Sequence, residues 1–380
     1  LDGATFTVCT SPVQLSPTNL IDGSHTFMVV AQDKVGNMGK TPALFNWTID
    51  TLPPISIIDT ATDSNKSAVS NDGITNSTSL TFTFSGSDNG VGIHNYECGL
   101  DNSTFAVCTS PVQYHNLTNG IHGFQLVAED KVGNKGSAPS SFNWTTDIQP
   151  PSTSIFSAKD GDNKIMVPGS NTTSNSVTFE FSANDTGGSD DKGVGIKQFE
   201  CSLDKSNFST CSSPVKFSSA YLKDGNHVFK IKAEDNAGNM NPTPASFSWK
   251  IDSIPPTTTI TTAIDGNKST IINGSSTKFK SVTLSFSGSD SGTGISNFEC
   301  SLDNSNFTAC TSPVQSVNLT DGGHIFKVTA KDNGGNINPS PALFSWTVDT
   351  VAPLTTIDSA IDGNKSAVNT GGNTSSNSLT

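Results

Sequence analysis

The chain has 380 residues, of which 14% are charged, and a net charge of −13. All 21 basic residues are lysine, which argues against phosphate or nucleic-acid recognition, where the bidentate fork of arginine is favoured. No apolar run reaches the ~18 residues a membrane helix needs, so no membrane span is expected in this segment.

The opening string LDGATFTVCTSP returns as ECGLDNSTFAVCTSP from Glu97, ECSLDKSNFSTCSSP from Glu200 and ECSLDNSNFTACTSP from Glu299. Its anchor residues Leu1, Leu100, Leu203 and Leu302 are 99, 103 and 99 positions apart. A period of this size means whole domains in tandem, because solenoid units usually run to about 20–50 residues. About 100 residues can bury a core of their own. The expected organisation is the C-terminal part of a repeat in 1–52, complete repeats in 53–149, 150–254 and 255–351, and the N-terminal part of another in 352–380. Ser and Thr total 100 and Asn 35, yet 22 Phe and a Trp in every repeat point to folded domains with polar surfaces.

The 150–254 repeat shows the predicted strands in order. After a strand near Thr153, Ser176 begins a run that alternates Val177, Phe179 and Phe181 with Thr178, Glu180 and Ser182. Strands near Phe199 and Val215 follow. Then His227, Phe229, Ile231 and Ala233 share one face, and Ala245, Phe247, Trp249 and Ile251 another. A period of two means strands with one buried face. Asp160-Gly161, Asp224-Gly225 and Gly238-Asn239 mark turns. About seven short strands per repeat and no helical period predict an all-β sandwich. Proline-bearing junctions IDTLPP, TDIQPP, IDSIPP and VDTVAP follow each Trp strand, from Ile49, Thr146, Ile251 and Val348. Proline removes amide donors and stiffens φ, so these short linkers predict domains set end to end as an elongated, semi-rigid rod.

The series C-x-LD-x-x-x-F-x-x-C-x-SP, G-x-H-x-F, A-x-D-x-x-GN, F-x-W and D-x-x-x-P resembles the tandem immunoglobulin-like repeats of secreted bacterial and archaeal surface proteins. The resemblance covers the whole chain. It implies immunoglobulin-like sandwiches, and it is compatible with adhesins, surface filaments and spacers in secreted enzymes, because fold alone does not assign a role.

Seven cysteines fall as Cys98/Cys108, Cys201/Cys211 and Cys300/Cys310, with Cys9 over. Cys9 matches the second member of each pair, so its partner is expected upstream of residue 1. A hairpin between the paired cysteines brings them within bridging reach. Two cysteines ten apart without a further Cys or His pair are not a zinc pattern. Disulfides imply an oxidising, extracellular or cell-surface location.

Asn-X-Ser/Thr occurs fifteen times, at Asn46, Asn65, Asn76, Asn102, Asn116, Asn143, Asn171, Asn184, Asn207, Asn267, Asn273, Asn306, Asn318, Asn364 and Asn373. Chance supplies roughly nine, so recurrence of position matters more than the count. Asn46 and Asn143 share one place on the Trp strand, and Asn102, Asn207 and Asn306 share the cysteine-loop tip. Asn65, Asn267 and Asn364 share a D-x-N-K-S turn. N-linked glycans are expected partners.

The turns AQDKVGN, AEDKVGN, AEDNAGN and AKDNGGN have two readings. Either Asp caps a tight turn in which Gly takes positive φ, or loops at the linker end gather a calcium site. The second reading groups Asp50 with Asp88 and Asp130, Asp147 with Asp190 and Asp235, and Asp252 with Asp290 and Asp332. Calcium is an optional ligand here, not a required cofactor. His25, His122, His227 and His324 recur at one strand entrance, which suits packing rather than catalysis. No nucleophile, metal-protease or phosphate-loop motif is present, so no enzyme activity is expected.

The leading expectation is an extracellular structural protein, a repeat region of a glycosylated surface filament, pilus-like fibre or cell-envelope protein. Its partners would be other copies in a filament or surface layer, meeting near Asp50, Asp147, Asp252 and Asp349. The alternatives are the stalk of a cell-surface adhesin and spacer modules of a secreted carbohydrate-active enzyme.

Overall fold

A computed structural model describes residues 1–16, 18, 20–186, 193–375 and 377–379. By internal contact these form two compact units. One comprises Leu1–Ala158, Thr178–Lys216 and Val228–Phe247; the other comprises Lys159–Val177, Phe217–His227 and Ser248–Thr380.

In the first unit, β1 (Gly23–Val29) and β2 (Ala43–Ile49) form an antiparallel pair with His25 opposite Trp47 and Phe27 opposite Phe45. Eight strands follow: β3 (Ile55–Asp63), β4 (Gly73–Thr75), β5 (Leu80–Ser87), β6 (Ile93–Leu100), β7 (Ala106–Cys108), β8 (Val112–Tyr114), β9 (Gly120–Asp130) and β10 (Ser140–Thr146). That is one more than the approximately seven expected; β4 and β7, of three residues each, are too short to show an alternation and have no counterpart among the strand positions named from the sequence. The strands form two sheets, β3-β5-β8 and β4-β10-β9-β6-β7. All named pairs are antiparallel except β4–β10, which is parallel. The result is an all-β, immunoglobulin-like sandwich.

Alternation fixes which side chains meet. Leu80, Phe82 and Phe84 of β5 point inward, and their neighbours Thr81, Thr83 and Ser85 point away. From the other sheet come Cys98, Phe124, Leu126 and Trp144. Phe82 stacks on Phe124 with centroids 4.2 Å apart, and Tyr96 meets Phe84 edge-on at 5.2 Å. Burying each large apolar side chain contributes about 1.5–3 kcal/mol. The cysteine hairpin turns through Asp101 and Asn102, both at positive φ, a conformation that Asp and Asn tolerate better than most residues.

The same unit holds Thr178–Asn184 and Ile196–Leu203, with Phe179 stacked on Phe229 at 4.4 Å and Phe181 edge-on to Phe199 at 5.3 Å.

The second unit repeats the architecture over residues 257–348. Thr257–Asp265, Val282–Ser289 and Val314–Ser316 make one sheet. Ser276–Thr277, Ala342–Val348, Gly322–Asp332, Ile295–Leu302 and Thr308–Cys310 make the other, in that spatial order. Val282, Leu284, Phe286, Phe326, Val328 and Trp346 form its core. Ser170–Thr172 pairs in parallel with Trp249–Ile251, and His227 stacks on Trp249 at 5.2 Å.

Cys98–Cys108, Cys201–Cys211 and Cys300–Cys310 are disulfide-bonded, each with Cα atoms 5.8 Å apart. Each bridge ties an inner strand to the short edge strand beside it. Cys9 is a free, exposed thiol.

Candidate metal centre

Among the described residues, three aspartate triads form at strand ends. Asp50 follows β2, Asp88 follows β5, and Asp130 ends β9; their carboxylate oxygens lie within 4.8 Å of one another. Asp252, Asp290 and Asp332 repeat this arrangement. The middle triad is Asp147, Asp185 and Asp235. Asp190, the residue expected there, lies outside the described residues. Asp185 was legible by counting forward from the Phe strand. FSGSD at Phe84 and Phe286 aligns with FSAND at Phe181, and the extra residues come afterwards.

Each triad member has a defined local role. Asp130 Oδ1 accepts the amides of Val132 and Asn134, both at 2.9 Å, and its Oδ2 accepts Asn134 Nδ2 at 2.6 Å. Gly133 takes φ 94° at the bend. The capped-turn reading therefore holds for this residue; Asp235 makes the corresponding bonds, and Asp332 accepts the Gly335 and Asn336 amides and Asn336 Nδ2. Asn134 Nδ2 also reaches the carbonyl of Asp50 at 3.0 Å, so the turn grips the linker. Asn239 and Asn336 do the same to the carbonyls of Asp147 and Asp252, both at 2.8 Å.

The second loop differs. Asp88 Oδ2 accepts the amides of Gly90 at 3.0 Å and Gly92 at 2.7 Å. Asp88 Oδ1 is buried and has no hydrogen-bond partner among the described residues; Asp290 Oδ1 is in the same position. A buried carboxylate oxygen left unmatched is costly. Asp50 Oδ2 accepts the Val91 amide at 2.8 Å, which brings the carboxylate against Gly90. A Cβ at Gly90 would lie 2.0 Å from Asp50 Oδ2, and one at Gly292 would lie 2.1 Å from Asp252 Oδ2. These glycines permit the loop to close on the linker carboxylate.

Electrostatics separates the members. Burial pushes Asp130 up, but bonds from Asn134 and the turn amides outweigh it and hold the carboxyl below its ordinary range. Burial likewise opposes ionisation of Asp252, and Thr293, the Ile254 amide and the Lys250 charge hold it low. Asp185 is raised, first by burial, with the Gly195 and Val194 amides opposing and the charges of Asp147 and Asp235 adding to the rise. Crowded carboxylates of this kind are eased by a cation. The donors are all oxygen, with no His or Cys among them, which matches hard Ca²⁺ rather than zinc.

The recurrent histidines are structural, as their buried positions against Trp47, Trp144, Trp249 and Trp346 make plain. Fourteen of the fifteen sequon asparagines are exposed. Asn171 is half-buried, and its Nδ2 donates to the carbonyl of Asn333 at 3.4 Å.

No protein-family model matches the chain, and no curated protein matches it. Among solved structures it is similar to the fibronectin(III)-like modules of CbhA from Clostridium thermocellum, at 14% identity over 52% of this chain and 94% of that one, with TM-score 0.29. It is also similar to a tetra-tandem repeat from the extending region of a large adhesion protein, at 16% identity over 88% and 84%, with TM-score 0.31. A third similarity is to a Ca²⁺-stabilised adhesin with which an Antarctic bacterium binds ice, at 14% identity over 86% and 82%, with TM-score 0.34.

Proposed function

We propose that this segment is a non-catalytic, extracellular structural module. Its stapled repeats supply length and mechanical resistance to a surface filament or cell-envelope protein, and calcium stiffens the linkers. The observation that supports this reading is the threefold recurrence of a triad made from one linker aspartate and two loop aspartates. Asp88 Oδ1 and Asp290 Oδ1 are the oxygens through which a cation would be held, with Asp50 or Asp252 and Asp130 or Asp332 completing each set. Bound calcium would neutralise the clustered charge and tie the linker to both loops. The exposed sequons would carry N-glycans, leaving uncoated strands and linker ends for contact with other copies.

Calorimetric titration of the whole chain with Ca²⁺, paired with thermal unfolding in Ca²⁺ and in chelator, tests the module. Saturable binding and a chelator-reversible rise in unfolding temperature support it. No binding at millimolar Ca²⁺ would remove calcium from the proposal. The glycan part predicts an intact native mass well above the 39.6 kDa of the bare chain.

A further inference from the structure

Three histidines make the same pair of ring contacts. His25 Nδ1 lies 2.8 Å from Asp2 Oδ2 and its Nε2 lies 2.6 Å from the Ile21 carbonyl. His122 makes these contacts with Asp101 at 2.7 Å and the Thr118 carbonyl at 2.8 Å. His324 makes them with Asp303 and the Thr320 carbonyl, both at 2.8 Å. Each ring is more than nine-tenths buried and lies over a tryptophan.

Both partners of His324 are acceptors. A neutral imidazole carries one N–H and an imidazolium carries two, so only the charged ring satisfies both contacts. The carboxylate belongs to the tip of the disulfide loop, where Asp303 also accepts the Ile325 amide at 2.9 Å. The carbonyl belongs to the loop at 317–321, whose Leu319 is buried in the core and donates its amide to the Lys280 carbonyl at 3.0 Å. The imidazolium thus joins two loops that share no other tie through this ring.

We propose that His324 is a pH-sensitive latch: protonated, it clamps the disulfide-loop tip and the 317–321 loop together, and deprotonated, it releases the 317–321 loop. The side that opens follows from the acceptors. Carboxylate outcompetes carbonyl for the remaining proton, which stays on Nδ1 facing Asp303. The Nε2 lone pair then faces the Thr320 carbonyl oxygen, and the two repel. His25, with Asp2 and Ile21, is built the same way.

The surroundings leave Asp303 as the charged group on the ring. Lys327, three residues along the same strand, directs its Nζ to Asn304 Oδ1 at 2.8 Å. Asp321, next to the accepting Thr320, is engaged by Thr350 Oγ1 at 2.8 Å and lies 4.0 Å from Lys280. The facing strand presents Ser345, Trp346 and Thr347, none of them charged. Burial opposes the charge on His324, but the Asp303 and Thr320 bonds outweigh it and raise the ring above its ordinary value. A raised histidine contributes stability that is complete below the unfolded-state value and is lost as pH rises through the folded-state value.

Long-range ¹H–¹⁵N spectra of the full chain with labelled histidine, read against amide exchange at 317–321, test this. The expected result is a doubly protonated His324 that titrates above the ordinary histidine value, with a several-fold rise in exchange at 317–321 across the same pH range. Asp303→Asn should lower the midpoint and uncouple the loop from pH. A ring that loses its proton at or below the ordinary histidine value, or exchange at 317–321 that stays flat through the titration, would overturn the latch. Because the unmodified chain alone can give either outcome, a poorly folded variant leaves the test intact.

Discussion

The pair β1–β2 and the pair formed by Gly322–Asp332 and Ala342–Val348 share a register. Phe27 faces Phe45 as Phe326 faces Phe344, and His25 faces Trp47 as His324 faces Trp346. Their burial is different. Phe344 is 8% exposed and Phe45 is 66% exposed, while Leu343 and Leu44, on the outer face, are exposed in both. Strand pairing is thus set locally by sequence and turn, whereas burial is conferred by the sheet packed across the sandwich. The residue types follow the same pattern in both regions, and among the described residues Val282, Leu284 and Phe286 face the second pair.

The largest effect should come from removing a core ring where the facing sheet exists. Phe326→Ala is expected to cost about 3–5 kcal/mol, as large-to-small changes of buried aromatics do. Denaturant unfolding followed by exchange at 322–348 checks it; a loss below about 1 kcal/mol would mean that this ring is not packed against the facing sheet. Next in size is the staple. Replacing Cys300 and Cys310 together by Ala should cost about 2–3 kcal/mol through the freed unfolded chain. A smaller, conditional effect belongs to the triads. Asp290→Asn should abolish the calcium-dependent gain at 257–348, which mass action puts at about 1.4 kcal/mol when Ca²⁺ stands tenfold above its dissociation constant. In chelator the same change should be neutral or stabilising, because it removes one of three clustered negative charges and the oxygen without a partner. Destabilisation in chelator would mark Asp290 as a turn residue and nothing more.

The inner faces of the long strands were readable because a period of two survives for seven residues or more, as from Val177 and His227. The short edge strands β4 and β7 were not, since three residues define no period and their pairing is a tertiary event. At the triads, linker and turn aspartates were visible because Pro and Gly-Asn punctuate them. Asp185 is separated by additional residues from the Gly-x-Gly-Ile that follows closely in the other repeats, so only the count forward from Phe181 marks it. The chemistry of the unmatched Oδ1 atoms was hidden altogether, because it depends on how two loops and a linker converge. The histidines show the same limit: their strand position is periodic, but the two acceptors come from different loops.

Those histidines also give the finest comparison of the two regions. Both His25 and His324 are raised by an aspartate bond and a loop carbonyl, yet the order of causes differs. At His25 the Asp2 bond is the leading cause and burial is a lesser opposing one. At His324 burial leads, opposing the charge, and the Asp303 bond must overcome it. The facing sheet that buries Phe344 also removes water from His324. Both rings are therefore expected to titrate above their unfolded-state value. In each region the histidine's contribution is intact below that value and fades as pH rises through the folded-state midpoint. Site-resolved NMR titration of the two rings in one sample checks this. A midpoint at or below the unfolded-state value for either ring would mean that burial outweighs its aspartate bond, Asp2 at 2.8 Å for His25 and Asp303 at 2.8 Å for His324.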